Sequence, residues 1–335
     1  MPITAINSNL ADYILSPGKI GEELVRIADR PKFSLQEDES EDSKNENHFN
    51  QILDLIYKAS GIDFKQYKPA TLIRRIEKRI TIRQLLNLKD YLIFLKSNPK
   101  EQELLFNDFL IGVTAFFRDP LAFNEIKETV FPEIFTPDRQ KESVRFWVVA
   151  CSTGEEAYSL AIMIDEYLKE RSLSFDFKIF ATDADAKSIQ HAGLGRYPVN
   201  LVSDISSERL EKYFIKTGTH LEIVKTIRER IVFSNHNILR DPPFIRMDFI
   251  SCRNMLIYMK SKVQRKIMLS LQFGLKLNGF LFLGNSENLG DVQSQFKIID
   301  AKWRIYQNIS TIRILPTQLQ SDGKISSYNL SHPFL

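Results

Sequence analysis

The residues best placed to carry chemistry follow two apolar, β-rich runs. The first run, Val144 to Ala150, breaks at the small residues Cys151-Ser-Thr-Gly154 and restarts with helical periodicity at Glu155. The second run, Phe177 to Thr182, is followed by the carboxylate of Asp183. Such runs predict buried strands, and a strand, a tight turn and a helix form the nucleotide-binding corner of a doubly wound sheet. An acidic residue after the next strand can accept hydrogen bonds from both ribose hydroxyls of an adenosine ligand.

The turn favours a ligand that carries adenosine but no phosphate. A dinucleotide fingerprint needs three glycines, two of them for close approach to a pyrophosphate, and this turn has only Gly154. Glu155 and Glu156, at the start of the helix, would also repel a phosphate. S-adenosylmethionine is the common ligand of this description. An ordinary strand, turn and helix without a ligand is the alternative, and a dinucleotide oxidoreductase is disfavoured.

Further polar residues stand near the ends of other predicted strands. Asn237 ends the run that begins at Ile231, and the adjacent Arg253 and Asn254 follow the run from Met247, with Tyr258 four residues on. Parallel strands bind ligands at their carboxyl ends. Turn-closing hydrogen bonds or simple packing are the structural alternatives for these residues. Arg118 follows an apolar run and is expected to be partly buried, so it needs a carboxylate partner, internal or from a ligand.

The pattern that must position these residues is α/β. Strand and helix patterns alternate after residue 144, which predicts a mostly parallel sheet, and 335 residues suggest about two domains. A net charge of +3 does not indicate a nucleic-acid binder, and Cys151 and Cys252 are expected to be reduced, buried thiols. No signal peptide and no long uncharged apolar stretch is present. We therefore expect a soluble, cytoplasmic protein, and we expect no metal site.

The amino-terminal part divides by composition. Residues 36–48 are acidic and almost without apolar side chains, which predicts a solvated linker. Residues 49–100 are helical by pattern and carry eleven basic and four acidic residues. Their basic residues Arg74, Arg75, Lys78 and Arg79 are either a solvated helix face or a docking surface for an acidic partner. Aromatic residues interleaved for base stacking are absent, which disfavours nucleic acid. Residues 310–335 are predicted to be a tail or linker.

Six motifs in register resemble the chemotaxis-receptor glutamate methyltransferases, the CheR family. They are Thr114-Ala-Phe-Phe-Arg-Asp, Ala150-Cys-Ser-Thr-Gly-Glu-Glu-Ala-Tyr-Ser, Ala181-Thr-Asp-Ala-Asp, His236-Asn-Ile, Cys252-Arg-Asn-Met-Leu-Ile-Tyr and Phe282-Leu-Gly-Asn-Ser-Glu. The resemblance covers about 49 to 308. It implies an amino-terminal helical, receptor-docking domain at 49–120 and a class I S-adenosylmethionine-dependent methyltransferase domain at 121–309. It also implies a three-stranded antiparallel subdomain inserted at about 207–232.

The resemblance also assigns the site. By motif position it implies that the cofactor contacts Thr114, Arg118, Ala150, Glu156, Asp183, Asn237, Ile238, Arg253 and Asn254. Arg118 and Tyr258 would lie nearest the transferred methyl group. Ala150 stands where many members have glycine. The loop Lys216-Thr-Gly-Thr-His220 is short, which puts tethering to a receptor pentapeptide in doubt.

Residues 1–35 resemble the extreme carboxyl terminus of chemotaxis methylesterases, through Met-Pro, Ala-Ile and Asp-Tyr-Ile-Leu-Ser-Pro. The resemblance implies a remnant, or the junction of an esterase–methyltransferase fusion, which could also hold sensor domains. A private amino-terminal helix is the alternative, with Ile20, Leu24 and Val25 on the apolar side of the helical pattern.

The activity implied is methylation of glutamate γ-carboxylates on the cytoplasmic helices of chemotaxis receptors. A glutamate side chain has a reference pKa of about 4.3 and is ionised at neutral pH, so no general base is required. The alternative is a non-catalytic module that binds S-adenosylmethionine, or its product S-adenosylhomocysteine, as a sensor or scaffold.

Overall fold

The structure is a computed structural model that describes residues 15–28, 42–202 and 205–312. These divide into two compact units, up to Ile111 and from Gly112. The division falls before the boundary expected at 120. Helix α1, Pro17–Ala28, matches the helix expected there and exposes Ile20, Leu24 and Val25. The remainder of the esterase-like segment, residues 36–41 of the expected linker and all of the expected tail after 312 lie outside the described residues.

The first unit continues with four helices: α2 Asp42–Ser60, α3 Pro69–Ile82, α4 Leu88–Ser97 and α5 Pro99–Phe109. Helix α2 already begins at Asp42, so the last seven residues of the predicted 36–48 linker are helical. Local chemistry explains the other ends. Gly61 follows α2 with a φ of 74°, and Pro69 and Pro99 occupy first helical turns, where the missing N–H costs nothing.

The second unit contains a seven-stranded sheet in the order β6-β2-β1-β7-β8-β10-β9. Its strands are β1 Val144–Val149, β2 Phe177–Asp183, β6 Ile231–Asn235, β7 Met247–Cys252, β8 Leu275–Leu283, β9 Phe296–Asp300 and β10 Ile305–Asn308. The first five strands in this order are parallel, and β10 pairs antiparallel with both β8 and β9. Central strand β7 is buried at every position, as expected for a sheet covered on both faces. The predicted α/β class is confirmed, but β9 was not predicted.

Helices flank these strands. They are α6 Pro120–Glu125, α7 Phe131–Ile134, α8 Glu155–Glu170, α9 Ala186–Leu194, α10 Ser207–Tyr213, α11 Lys225–Arg228 and α12 Ser261–Gly274. A π-helical turn, Ile126–Val130, joins α6 to α7, so the three form one interrupted helical element. Buried aromatic and aliphatic side chains from these helices and the sheet form one core.

A second, three-stranded antiparallel sheet has the order β3-β5-β4, formed by β3 Arg196–Pro198, β4 Phe214–Thr217 and β5 His220–Ile223. The subdomain was expected at about 207–232. Its hairpin lies inside that span, but its first strand begins at Arg196, and Ile231 already belongs to the main sheet. We correct the boundaries accordingly. The strand β3 was missed because it has three residues and ends in proline, which sequence patterns treat as a loop.

Candidate functional site

The turn between β1 and α8 has an unusual backbone. Ala150 and Ser152 have φ values of 55° and 48°, and Gly154 has a φ of 95°. A Cβ on Gly154 would lie 2.8 Å from the Cβ of Ala192, so only glycine fits. The N-cap residue of α8 is Gly154, and neither Ser152 nor Thr153 caps the helix with its side chain. The hydroxyl of Thr153 instead donates a hydrogen bond to the Glu155 carboxylate. The backbone N–H of Ser152 points toward Asp183 at the end of β2.

Asp183 receives that N–H. Its Oδ2 accepts from Ser152 N at 2.8 Å and its Oδ1 from Asp185 N at 2.9 Å. Burial raises the pKa of the Asp183 carboxyl, while these two N–H groups act in the opposite direction. Each oxygen accepts one hydrogen bond and keeps capacity for a second. The carboxylate is therefore fixed beside the turn with acceptors left for two hydroxyl groups, which is what an adenosine ribose presents.

A buried ionic network lies behind the turn. Glu156 accepts from the hydroxyl of Ser251 and pairs with Arg253 Nη1 at 3.0 Å. The other terminal nitrogen of Arg253 pairs with Asp119. The Arg253 side chain is 1% exposed and its guanidinium carbon lies 4.5 Å from the centre of the Phe282 ring. Protein groups thus engage the terminal nitrogens of Arg253, and its predicted contact with the cofactor stays a prediction.

Arg118 lies in the segment 112–119, which is fastened to the turn and to α8. Ser152 Oγ donates to the Gly112 carbonyl at 3.3 Å, and the N–H of Phe117 donates to Ser159 Oγ at 2.8 Å. The guanidinium of Arg118 donates to the Val113 carbonyl at 3.0 Å. No carboxylate of the described part of the chain pairs with Arg118, although it is partly buried as predicted. Thr114, in the same segment, is also partly buried.

The other predicted residues follow β6 and β7. Asn237 closes a turn, since its N–H donates to Asp241 Oδ2 at 2.8 Å and its Oδ1 accepts from Leu239 N at 3.0 Å. Ile238 is buried. Asn254 has a φ of 59°. Tyr258 ends the short turn Leu256–Tyr258, is partly exposed, and its hydroxyl has no hydrogen-bond partner within the described ranges.

Two residues that the sequence analysis did not assign hold this edge together. Glu287, 3% exposed, accepts hydrogen bonds from the backbone N–H groups of Gly284, Asn254 and Leu256. Ser159 is fully buried and fixes Phe117. The available signal for Glu287 was its place as the last residue of the Phe282-Leu-Gly-Asn-Ser-Glu motif. Within the described residues, no cluster of His, Cys, Asp or Glu has the arrangement of a metal site.

The predicted docking residues on α3 separate by burial. Arg74 is exposed, and Arg75 and Lys78 are partly buried. Arg79 is 7% exposed and forms two hydrogen bonds, of 2.8 and 2.7 Å, with the fully buried Glu101. The prediction that Arg79 contacts a receptor is therefore wrong, because its charge is used inside the helical unit.

Glu101 is the centre of this internal network. It also accepts from Arg83 Nε at 2.8 Å and from the hydroxyl of Tyr91 at 3.2 Å. Burial alone would raise the pKa of the Glu101 carboxyl, but the two guanidinium groups lower it below its ordinary value. A buried carboxylate of this kind is stable only with its cations present.

Comparison with known proteins agrees with this arrangement. The family described as "CheR methyltransferase, SAM binding domain" matches residues 112–305, and "CheR methyltransferase, all-alpha domain" matches residues 47–110. Both matches meet at the division between the two units.

Three relatives illustrate the similarity. An uncharacterised 104.1 kDa protein of Rhodobacter capsulatus is 34% identical over 91% of this chain, and the chain spans 33% of its length. The chemotaxis protein methyltransferase Cher2 of Pseudomonas putida is 30% identical over 75% of this chain and 94% of its own. The chemotaxis protein methyltransferase of Salmonella typhimurium is 31% identical over 75% of this chain and 87% of its own.

The family matches cover both units, and the observed sheet has the geometry that a class I methyltransferase requires. S-adenosylmethionine is the cofactor that the matching domain binds, and Asp183, fixed beside the Gly154 turn, suits its ribose. The chain belongs to the CheR methyltransferase family.

Proposed function

We propose that this protein transfers a methyl group from S-adenosylmethionine to glutamate side-chain carboxylates on the cytoplasmic helices of chemotaxis receptors. The product would be a glutamyl methyl ester. One observation carries the proposal: the Arg118 guanidinium has no carboxylate partner in the described structure. Arg118 lies on the segment 112–119, which is hydrogen-bonded to the turn between β1 and α8. The names of the relatives in P. putida and S. typhimurium support a role in chemotaxis.

The chemistry needs little from the protein beyond position. S-adenosylmethionine, when bound, supplies a methyl group already activated by its sulfonium. A glutamate carboxylate, with a reference pKa of about 4.3, is ionised at neutral pH and needs no general base. The residues of this chain must align the carboxylate oxygen with the methyl group and keep water out. None of the five histidines is therefore required as a base.

Each site residue has a distinct proposed task. Arg118 orients a carboxylate, either that of the substrate or that of the cofactor's methionine part. Tyr258 donates a hydrogen bond from its unpartnered hydroxyl near the methyl group. Asp183 accepts from the ribose hydroxyls. Thr114, Ala150, Glu156, Asn237, Ile238, Arg253 and Asn254 line or support the cofactor site. An overly strong ion pair with the substrate carboxylate would make that carboxylate a weaker nucleophile. We therefore expect these residues to act mainly by positioning the substrate.

The receptor contact is assigned to α3. Arg74, Arg75 and Lys78 present positive charge that suits an acidic receptor helix. Arg79 is excluded because it pairs with Glu101. We place the reaction in the cytoplasm. No helix within residues 15–28, 42–202 and 205–312 has the length and hydropathy to cross a bilayer.

The proposal is tested with methyl-labelled S-adenosylmethionine and a purified cytoplasmic fragment of a chemotaxis receptor from the same organism. Label that enters the receptor and is released by mild base indicates a methyl ester, the expected result. Tight binding of S-adenosylhomocysteine without incorporation of label would instead favour the non-catalytic sensor or scaffold. Base-stable label would indicate a different acceptor group.

A further inference from the structure

Glu287 is a buried carboxylate without a cation. Its residue is 3% exposed, and no Lys, Arg or His of the described chain forms an ion pair with it. Burial raises the pKa of the Glu287 carboxyl, and backbone N–H groups of Gly284, Asn254, Leu256 and Ile257 oppose that change. A buried acid is costly unless its oxygens are used.

Its hydrogen bonds join two separate loops. Oε2 accepts from Gly284 N at 2.8 Å and from Asn254 N at 2.9 Å, and Oε1 accepts from Leu256 N at 2.7 Å. Gly284 follows β8, whereas Asn254 and Leu256 follow β7. One side chain therefore fastens the loop after β7 to the loop after β8, at the carboxyl edge of two adjacent parallel strands.

The loop after β7 needs such support. Asn254 has a φ of 59°, a left-handed conformation that costs energy for a residue other than glycine and persists only when its surroundings impose it. Gly284 lets the carboxylate come close, because a Cβ there would lie 2.8 Å from Glu287 Oε2 and 2.9 Å from Asn254 N. The absence of a side chain at Gly284, in the loop after β8, thus leaves room for the Glu287 carboxylate to contact Asn254 in the loop after β7.

The support reaches Tyr258 through a short turn. Tyr258 N donates to the Met255 carbonyl at 3.2 Å, and Met259 N donates to the Leu256 carbonyl at 3.0 Å. From the other side, Gln264 Nε2 donates to the carbonyls of Leu256 and Met259. Leu256 is consequently held at its N–H by Glu287 and at its carbonyl by Gln264, two residues before Tyr258.

We infer that Glu287 is a positioning residue for methyl transfer, whose ionised carboxylate sets the conformation of the turn that carries Asn254 and Tyr258. The inference rests on the proposed catalytic role of Tyr258. Glu287 itself touches neither the substrate nor the transferred group. A carboxylate is needed rather than an amide, because three N–H donors converge on its two oxygens and an amide nitrogen would oppose one of them.

A double-mutant cycle tests the inference. Wild type, Glu287→Gln, Tyr258→Phe and the double variant are compared for kcat with the purified receptor fragment, and for the Kd of S-adenosylhomocysteine. Misplacing a catalytic group by about 1 Å can cost about a hundredfold, so we expect Glu287→Gln to lower kcat on the order of tenfold to a hundredfold. If it acts through Tyr258, the double variant has the kcat of Tyr258→Phe alone.

Asp291→Asn is the matched control. It also removes one negative charge from the segment after β8, but its side chain is 73% exposed, and we expect wild-type kcat. Wild-type kcat in Glu287→Gln, or effects of Glu287→Gln and Tyr258→Phe that multiply independently, would overturn the inference. If Glu287→Gln does not fold, Glu287→Asp, which keeps the charge but shortens the reach, is put through the same cycle with the same expectation.

Failure of the proposed function can be told apart from failure of this inference. If the wild type methylates no receptor, the proposed function fails on its own. The Kd of S-adenosylhomocysteine then still tests the contact with Asn254. We expect Glu287→Gln to raise that Kd several-fold, as loss of a well-placed hydrogen bond does, and an unchanged Kd would overturn the inference.

Discussion

The guanidinium of Arg253 donates from Nη2 to the backbone carbonyl of Arg118, across 3.2 Å. The same guanidinium pairs with Asp119 and Glu156. Phe117 and Asp119, on either side of Arg118, have φ values of 49° and 64°, a strained conformation that needs outside support. Arg253 therefore holds the Arg118 segment against the first turn of α8. The Arg118 guanidinium donates to the Val113 carbonyl and has no carboxylate partner in the described part of the chain.

Replacing Arg253 by methionine should destabilise the fold. The change leaves the carboxylates of Glu156 and Asp119 without their cation. Because these side chains are 16% and 33% exposed, we expect a loss of about 1–3 kcal/mol of unfolding free energy, less than for a fully buried pair. Urea unfolding measures the loss. Arg253→Lys, which keeps the charge, should lose less. An ordinary surface substitution changes the free energy of unfolding by about 0.5 kcal/mol or less. A loss no larger than that would show that the network contributes little to stability.

Cofactor affinity should fall on acidification, as Asp183 takes up a proton at its raised pKa. Burial raises the pKa of Asp183 above 3.8, against the opposing N–H groups of Asp185 and Ser152. The protonated carboxyl loses an acceptor for the ribose, so the Kd of S-adenosylhomocysteine should rise as pH falls through the folded-state pKa. Titration calorimetry over this pH range is the measurement.

Protonation of Asp183 should increase the free energy of unfolding, although it lowers the affinity for the cofactor. Because the folded pKa of Asp183 lies above the unfolded one, this residue's contribution to stability increases as pH falls through the folded pKa.

Asp183→Asn is the control for the prediction on cofactor affinity. The Kd of this variant for S-adenosylhomocysteine should be higher than that of the wild type at neutral pH and should depend less on pH. Equal affinity in the two proteins would remove Asp183 from the site.

Ala150→Gly should stabilise the protein. Ala150 has a φ of 55°, and a Cβ in that region costs about 1–2 kcal/mol, whereas glycine adds about 0.5–1 kcal/mol of unfolded-state entropy. The difference predicts a gain of up to about 1.5 kcal/mol by these two principles, measurable by urea unfolding. Reduced stability would mean that the alanine methyl makes packing contacts worth more than the strain.

Several features of the fold were predictable because they depend on neighbours in sequence. The strands β1, β2 and β7 are short runs of mostly apolar residues, and Gly61 and Pro69 mark helix ends by backbone geometry. Position within α3 also carried information. Leu72, Ile76 and Ile80 lie on its buried face, and Arg79 belongs to that face three residues after Ile76.

The features that were missed depend on partners distant in sequence. From its charge, Arg79 was predicted to lie on the surface. Its partner Glu101 lies on another helix, so the sequence near Arg79 did not indicate that it is buried. Glu287 binds backbone N–H groups about thirty residues earlier, and backbone groups have no signature in a sequence. Arg253 was assigned to the cofactor by motif position, and only the structure shows that Glu156 and Asp119 engage it.

Charge reversal on α3 should weaken the receptor interaction and leave the cofactor alone. Arg74→Glu with Lys78→Glu changes two residues one helical turn apart without touching Arg79. The apparent KM for the receptor fragment should rise and its salt dependence should flatten, because such attraction is screened over about 10 Å at 0.1 M salt. Steady-state kinetics at several salt concentrations provides the measurement.

The matched control for α3 is Lys89→Glu with Lys96→Glu, two exposed residues of α4. It makes the same change in net charge on a different helix. We expect a smaller effect on KM, and no change in the affinity for S-adenosylhomocysteine in either double variant. If both double variants raise KM equally, overall charge rather than the surface of α3 attracts the receptor.

The most direct test of the proposed activity is to locate the methyl group. The receptor fragment is incubated with this protein and S-adenosylmethionine, digested, and mapped by tandem mass spectrometry. We predict a mass increase of one methylene unit on glutamate side chains, removed by mild base and absent when those glutamates are replaced by alanine. Methyl groups found only on lysine, arginine or another nitrogen, or none at all, would contradict the assignment of this protein as a receptor glutamate methyltransferase.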